Sequence, residues 1–217
     1  MEIRQLSRRE GRRETIPILS EQALLTDRSS GAFYTFGGYL SRGDSADNST
    51  LWRYTPDGEG GGLWSEYGPA DHEMFLSLNR THSAATASSA DTGFIFGGKM
   101  VNQNSQFTEM NAKGFLTFDF RSNEWAESTD TPYSKDGSLF GAEAVYVEEY
   151  GTQGLILILG GMTRHGASTP GFLDMDKIWF YDIGSRKWHL QKATGEVPTF
   201  RRRHCAVGVA GNETYEM

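Results

Sequence analysis

The chain has 217 residues and a formal net charge of −7, which speaks against nucleic acid as its main partner, because a phosphate backbone asks for a basic face. It contains no run of 18 apolar residues, so no stretch reads as a membrane-crossing helix, and its single cysteine, Cys205, rules out an intrachain disulfide. The 26 glycines and 12% aromatic content point to many short strands joined by tight turns, that is, to an all-β chain.

Residues 1–19 read as a solvated tail, disordered or irregular. Arg4, Arg8, Arg9, Arg12 and Arg13 have no apolar segment behind them, so this is not a secretory signal. After the tail, one pattern is repeated. In the first copy Glu21 to Thr26 is a weak opening strand. An aromatic run, Phe33 to Phe36, then ends in Gly37-Gly38, and Leu51 to Tyr54 leads through a Gly-rich turn to Trp64. In the second copy Thr81 to Ala87 alternates small and polar residues, Phe94 to Phe96 ends in Gly97-Gly98, and Phe115 to Asp119 precedes Trp125. In the third copy Leu139 to Val147 comes first, Leu155 to Leu159 stops at Gly160-Gly161, and Ile178 to Asp182 precedes Trp188. His204 to Ala210 opens a fourth copy.

The diglycines lie 60 and 63 residues apart, and the tryptophans 61 and 63. Two independent marks keep step, so one unit is four strands: a small-residue, innermost strand A, a strand B ending in Gly-Gly, a strand C ending in aromatic-Asp, and a strand D opening with Trp. The glycines permit positive φ and close backbone approach. Asp119 and Asp182 are placed to cap the amides of a C–D turn, and the tryptophans to pack between units. Gly37, Gly38, Gly97, Gly98, Gly160, Gly161, Tyr54, Asp119, Asp182, Trp64, Trp125 and Trp188 are therefore structural marks, not chemistry.

A small-residue strand behind an arginine, an apolar strand ending in Gly-Gly, a strand ending in Tyr-Asp and a Trp six residues on together resemble kelch repeats. The resemblance covers about residues 20–217. It implies an all-β partial β-propeller of about three and a half four-stranded blades, over approximately 20–67, 80–128, 138–191 and, in part, 202–217. The third copy, Gly154 to Ala210, is most similar to fungal kelch-repeat proteins, whose propeller is often a membrane-anchored ectodomain. The period exceeds the roughly 50 residues usual for kelch, so the loops are enlarged. If His204 corresponds to His82, the fourth strand B runs past Met217. The chain then reads as a fragment or truncated gene model, and as poorly stable with its ring open.

Kelch blades are shared with galactose oxidase, but none of that enzyme's copper ligands maps onto this chain, and Cys205, in a small-residue strand, reads as core packing. No pair among His72, His82, His165, His189 and His204 has metal-ligand spacing. Asp174 and Asp176 lack a third ligand in sequence. No cofactor, no catalytic residue and no metal site is expected.

In a four-stranded meander the B–C and D–A connections emerge at one end. The long connections are of these two kinds, so that face is expected to bind a protein or surface ligand. Met162, Arg164, His165, Asp174, Arg201 and Arg202 are the candidate residues there. Arg201-Arg202-Arg203 also reads as a lead-in to a blade, since Arg80 and His82 repeat the Arg-x-His spacing of Arg202 and His204. Asn48, Asn79 and Asn212 head N-glycosylation sequons. The resemblance thus implies a non-enzymatic binding module of a glycosylated cell-surface protein, its anchor outside this chain. Absence of glycan on the three asparagines would favour an intracellular scaffold or adaptor. A galactose-oxidase-like or metal-assisted specifier enzyme would need stoichiometric copper or iron.

Overall fold

The computed structural model describes residues 19–39, 50–101, 109–133, 137–165, 169–211 and 214–216. The tail expected over 1–19 lies, apart from Leu19, outside the described residues. Three four-stranded antiparallel meanders follow one another along the chain, the arrangement of partial propeller blades.

The first sheet holds β1 (Ala23–Asp27), β2 (Ala32–Phe36), β3 (Leu51–Pro56) and β4 (Gly62–Tyr67). A short helix, α1 (His72–Ser77), leads away from it. The second sheet holds β5 (Ala85–Ser88) and β6 (Thr92–Phe96). A hairpin of β7 (Lys99–Val101) and β8 (Glu109–Asn111) follows, and the sheet resumes with β9 (Phe115–Asp119) and β10 (Trp125–Ser128). The third repeats that plan. β11 (Glu143–Val147) and β12 (Leu155–Leu159) come first, then a hairpin of β13 (Met162–His165) and β14 (Thr169–Phe172), then β15 (Lys177–Asp182) and β16 (Lys187–Lys192). A two-stranded piece, β17 (Val209–Ala210) with β18 (Tyr215–Glu216), ends the described chain.

The period-2 alternation of each strand divides its residues between two blade interfaces. One core joins sheets one and two through Leu25, Tyr34, Phe36, Ile95, Phe118 and Trp125. A second joins sheets two and three through Ala87, Phe94, Phe96, Ala144, Ile156 and Tyr181. β5 lies against β1 on one side and β11 on the other. Its residues Ala85-Thr86-Ala87-Ser88 are small because strands of neighbouring blades crowd there. On the far face of the third sheet Val145, Val147, Leu157 and Leu159 are met by Ala206 and by Tyr215 of the two-stranded piece.

Of the strand D tryptophans, Trp125 and Trp188 turn to the sheet before their own. Trp125 packs at a tilt against Phe36 of β2 at 4.8 Å and Phe75 of α1 at 5.9 Å between ring centroids. Trp188 meets Phe96 and Phe115, and its Nε1–H donates to Asp130 O at 2.8 Å. Trp64 has Phe33 and Tyr54 of its own sheet as ring partners, the arrangement of a blade face with no earlier described blade against it.

The structure corrects four expectations. The 68–80 connection contains α1, with Asp71 Oδ1 capping Met74 N at 2.9 Å. The periodic signal of six residues is too short to read, and a helix this short forms because buried Phe75 packs between Phe36 and Trp125. The B–C connections of the second and third sheets are hairpins, not irregular loops. Cys205 is exposed, not core: Ala206 is the residue turned to the third sheet, so its neighbour points out. The opening strand of the first sheet, weak in sequence, is a full five-residue strand with alternating burial.

Candidate functional site

The B–C and D–A connections do share one face. On it, the residues leading into each strand A take the same backbone form four times. Glu21, Ser83, Gly141 and Arg203 all have positive φ, between 53° and 65°. Two residues earlier in three of these lead-ins, a carbonyl accepts the second glycine of the preceding sheet. Gly38 N donates to Thr81 O at 2.9 Å, Gly98 N to Leu139 O at 2.6 Å, and Gly161 N to Arg201 O at 2.8 Å. The diglycine is thus a clasp between consecutive blades. A Cβ on Gly37 or Gly97 would collide with the carbonyl its neighbour holds, and the φ of +67° and +61° excludes most side chains in any case.

This register shows that His204 corresponds to Ala84 rather than to His82, whose counterpart is Arg202. The Arg-x-His spacing repeats in the sequence but is offset by two in the fold. His204 packs beside Gly160 and Met175, and its two ring nitrogens are buried without hydrogen-bond partners. Burial, with the Arg201 charge second, pushes its pKa below the usual histidine value.

The lead-ins are also linked to one another. Gly141 N donates to Ser83 O, and Arg203 N to Gly141 O, both at 2.8 Å. Glu21 gathers three of them through its carboxylate. It accepts from Ser83 Oγ, contacts His82 Nδ1 at 3.3 Å, and pairs with Arg203 Nη2 at 2.8 Å. Burial by itself would raise the Glu21 pKa. The hydrogen bonds from Ser83 and His82 and the Arg203 charge outweigh it and hold the carboxyl below its usual value. Sequence reasoning missed Glu21, because a lone glutamate in a weak strand carries no motif. The one available signal was its spacing of 62 residues from Ser83, also on a lead-in.

The hairpins rise from this ring on matching anchors. His82 and Lys99 exchange backbone hydrogen bonds, and so do Phe140 and Met162. Ala112 N donates to Gly98 O at 2.9 Å, and Leu173 N to Gly161 O at 3.0 Å. Met162 is therefore at a hairpin base, 9% exposed, its sulfur accepting from Arg202 Nη1 at 3.4 Å. Arg164 and His165 belong to β13, their side chains lying outside the described residues. Asp174 is exposed and held by Lys177 Nζ at 2.5 Å. Arg201 and Arg202 are exposed, and Arg201 Nε donates to Thr199 O at 3.2 Å. Beside them Phe172, 41% exposed, packs on Phe200, 60% exposed, with ring centroids 4.6 Å apart. Asn79 is exposed, while Asn48 and Asn212 lie outside the described residues.

The structural marks sit as turn and packing groups. Asp119 Oδ1 accepts Arg121 N and Ser122 N, both at 2.8 Å, and Asp182 Oδ1 accepts Ser185 N at 3.1 Å. In the first sheet Asp57 fills this role, accepting Glu59 N and Gly61 N.

No family model matches the chain. A stretch of 66 residues, 30% of this chain, is 36% identical to a protein of Arthroderma benhamiae described as "Kelch repeat-containing protein", and it spans 9% of that protein's length. The likeness agrees with the three four-stranded sheets and supports a kelch-repeat reading of the chain.

Proposed function

We propose that the chain is part of a non-enzymatic kelch propeller module that binds another protein through the face bearing hairpins β7–β8 and β13–β14. One observation carries this. The exposed Phe172–Phe200 pair, with Arg201 and Arg202 beside it, combines the aromatic and guanidinium groups that dominate protein–protein hot spots. It stands on hairpin and lead-in backbone that the diglycine clasp holds in place, so binding would cost little ordering of the main chain. The finer reading places the module in a glycosylated cell-surface protein, a setting with which the exposed sequon at Asn79 agrees.

The test is site-specific crosslinking in the full-length protein. A photoreactive residue at Phe172 is expected to give a discrete protein adduct, and the same residue at Tyr150, in the β11–β12 turn on the opposite face, is not. Phe200→Ala should cut the Phe172 adduct at least tenfold, as a hot-spot loss of about 2 kcal/mol requires. Equal adducts from both positions, or none from either, would remove this face as the binding site.

A further inference from the structure

We infer that Asn79 carries an N-linked glycan whose first N-acetylglucosamine lies over the cavity beneath hairpin β7–β8, an inference that rests on the cell-surface part of the reading above. Asn79 heads the sequon Asn79-Arg80-Thr81. It is exposed, while Thr81 is 3% exposed, so the sugar is transferred before this blade folds. The Asn79 amide nitrogen attacks the anomeric carbon of an oligosaccharide donor linked to a lipid diphosphate. An N–C bond forms and the C–O bond to the diphosphate breaks. The diphosphate leaves with the electron pair, and the amide gives up one proton.

Asn79 also lines a cavity of about 390 Å³, within the range of pockets that enclose small groups. Being exposed as well, it stands at the mouth. Met100 and Met110, a cross-strand pair of the hairpin, line the cavity together with Ile95 and Leu116, which are buried in the core between the first and second sheets. Met110 is 46% exposed, so apolar surface is left to water beside the sequon asparagine. The rest of the wall is polar. Asn111, Lys113 and Glu127 supply donors and acceptors, and Lys113 and Glu127 are exposed.

Such a wall is amphipathic, and so is a pyranose, which presents C–H groups on its faces and hydroxyls around its edge. The sugar ring and its acetamido methyl cover thioether and aliphatic carbon. Its hydroxyls and amide serve Asn111, Lys113 and Glu127, which an all-carbon occupant would desolvate without return. A sugar bonded to Asn79 meets this surface at the high effective concentration of a short tether, so individually weak contacts suffice to seat it. Seated there, it covers β7–β8 and leaves contact with the partner to β13–β14, where Phe172 stands.

Peptide mapping of the native full-length protein is expected to find Asn79 glycosylated. The position of the sugar is then read by methionine oxidation with dilute hydrogen peroxide, in full-length protein secreted with oligomannose glycans. The fully glycosylated form is compared with one trimmed by endoglycosidase to a single N-acetylglucosamine, and with Asn79→Gln, which carries no sugar there. Oxidation follows exposure. Met110 should therefore react severalfold more slowly in both sugar-bearing forms than in Asn79→Gln, and Met175, in the third blade, at one rate throughout. Loss of the protection on trimming, equal Met110 rates in all forms, or a change at Met175 in step with Met110 overturns the inference and leaves the cell-surface reading standing. A bare Asn79 in native protein that is glycosylated at Asn48 or Asn212 does the same. Native protein bare at all three asparagines overturns the inference and the cell-surface reading together, while the protein-binding reading is judged separately by the adduct at Phe172.

Discussion

Gly97 has φ of +61°, and the space where its side chain would stand is taken by Leu139 O. Gly58 shares the positive φ, at +78°, but has nothing within 4 Å. The two separate conformational strain from collision. Gly58→Ala should cost about 1 kcal/mol, the left-handed penalty alone. Gly97→Ala should cost about 3 kcal/mol or more, because backbone must move and the Gly98 N–H to Leu139 O bond weakens with it. Urea midpoints of the two variants check this, and equal losses would contradict the clasp. At this scale the sequence was legible where a residue type is itself the requirement. The diglycines were readable because nothing else fits, whereas Glu21 was not, since any residue tolerating positive φ could stand there and its partners come from two other lead-ins.

The elements show where local pattern is sufficient and where it is not. Leu155 to Leu159 reads as a strand because both of its faces are covered, one by Phe94 and Phe96 of the second sheet and the other by Ala206 and Tyr215. Six-residue α1 is different. It has a good cap in Asp71, yet a helix of that length does not persist by propensity. It is held by Phe75, buried between Phe36 and Trp125. Phe75→Ala should destabilise the protein by roughly 3–5 kcal/mol and also expose the amides of α1 to rapid hydrogen exchange while β10 stays protected. Continued protection of α1 would show that the helix does not depend on this ring. The hairpins were hidden for a related reason. Their strands of three or four residues are fixed less by their own pattern than by anchors such as Ala112 N to Gly98 O.

Across the whole molecule, lead-ins from the first, second and fourth copies meet at Glu21. The carboxyl's folded pKa is depressed, so its contribution is fully present above the ordinary glutamate value of about 4.3 and is lost as pH falls through the lower folded value. His204 is likewise depressed. Its contribution is present above about 6.5 and is lost on acidification through its folded value. Both act in the same direction, so the thermal midpoint should fall in two steps as pH drops from 7. Asp27 and Asp182 are depressed as well, so Glu21→Gln should shrink the lower step and leave the upper one. A pH profile unchanged by Glu21→Gln would mean that the Glu21–Arg203 contact contributes nothing to stability.

The sequence by itself determined the strand order, the diglycine and tryptophan marks and the face on which long connections gather. Each follows from a local requirement, be it positive φ, period-2 burial or chain direction in a meander. Only the tertiary structure decided that the diglycines clasp the next blade, that His204 is offset from His82, and that Glu21 links three lead-ins. Those depend on which residues of different repeats, far apart in sequence, come within about 3 Å of each other, a distance set by how whole sheets pack and carried by no single repeat.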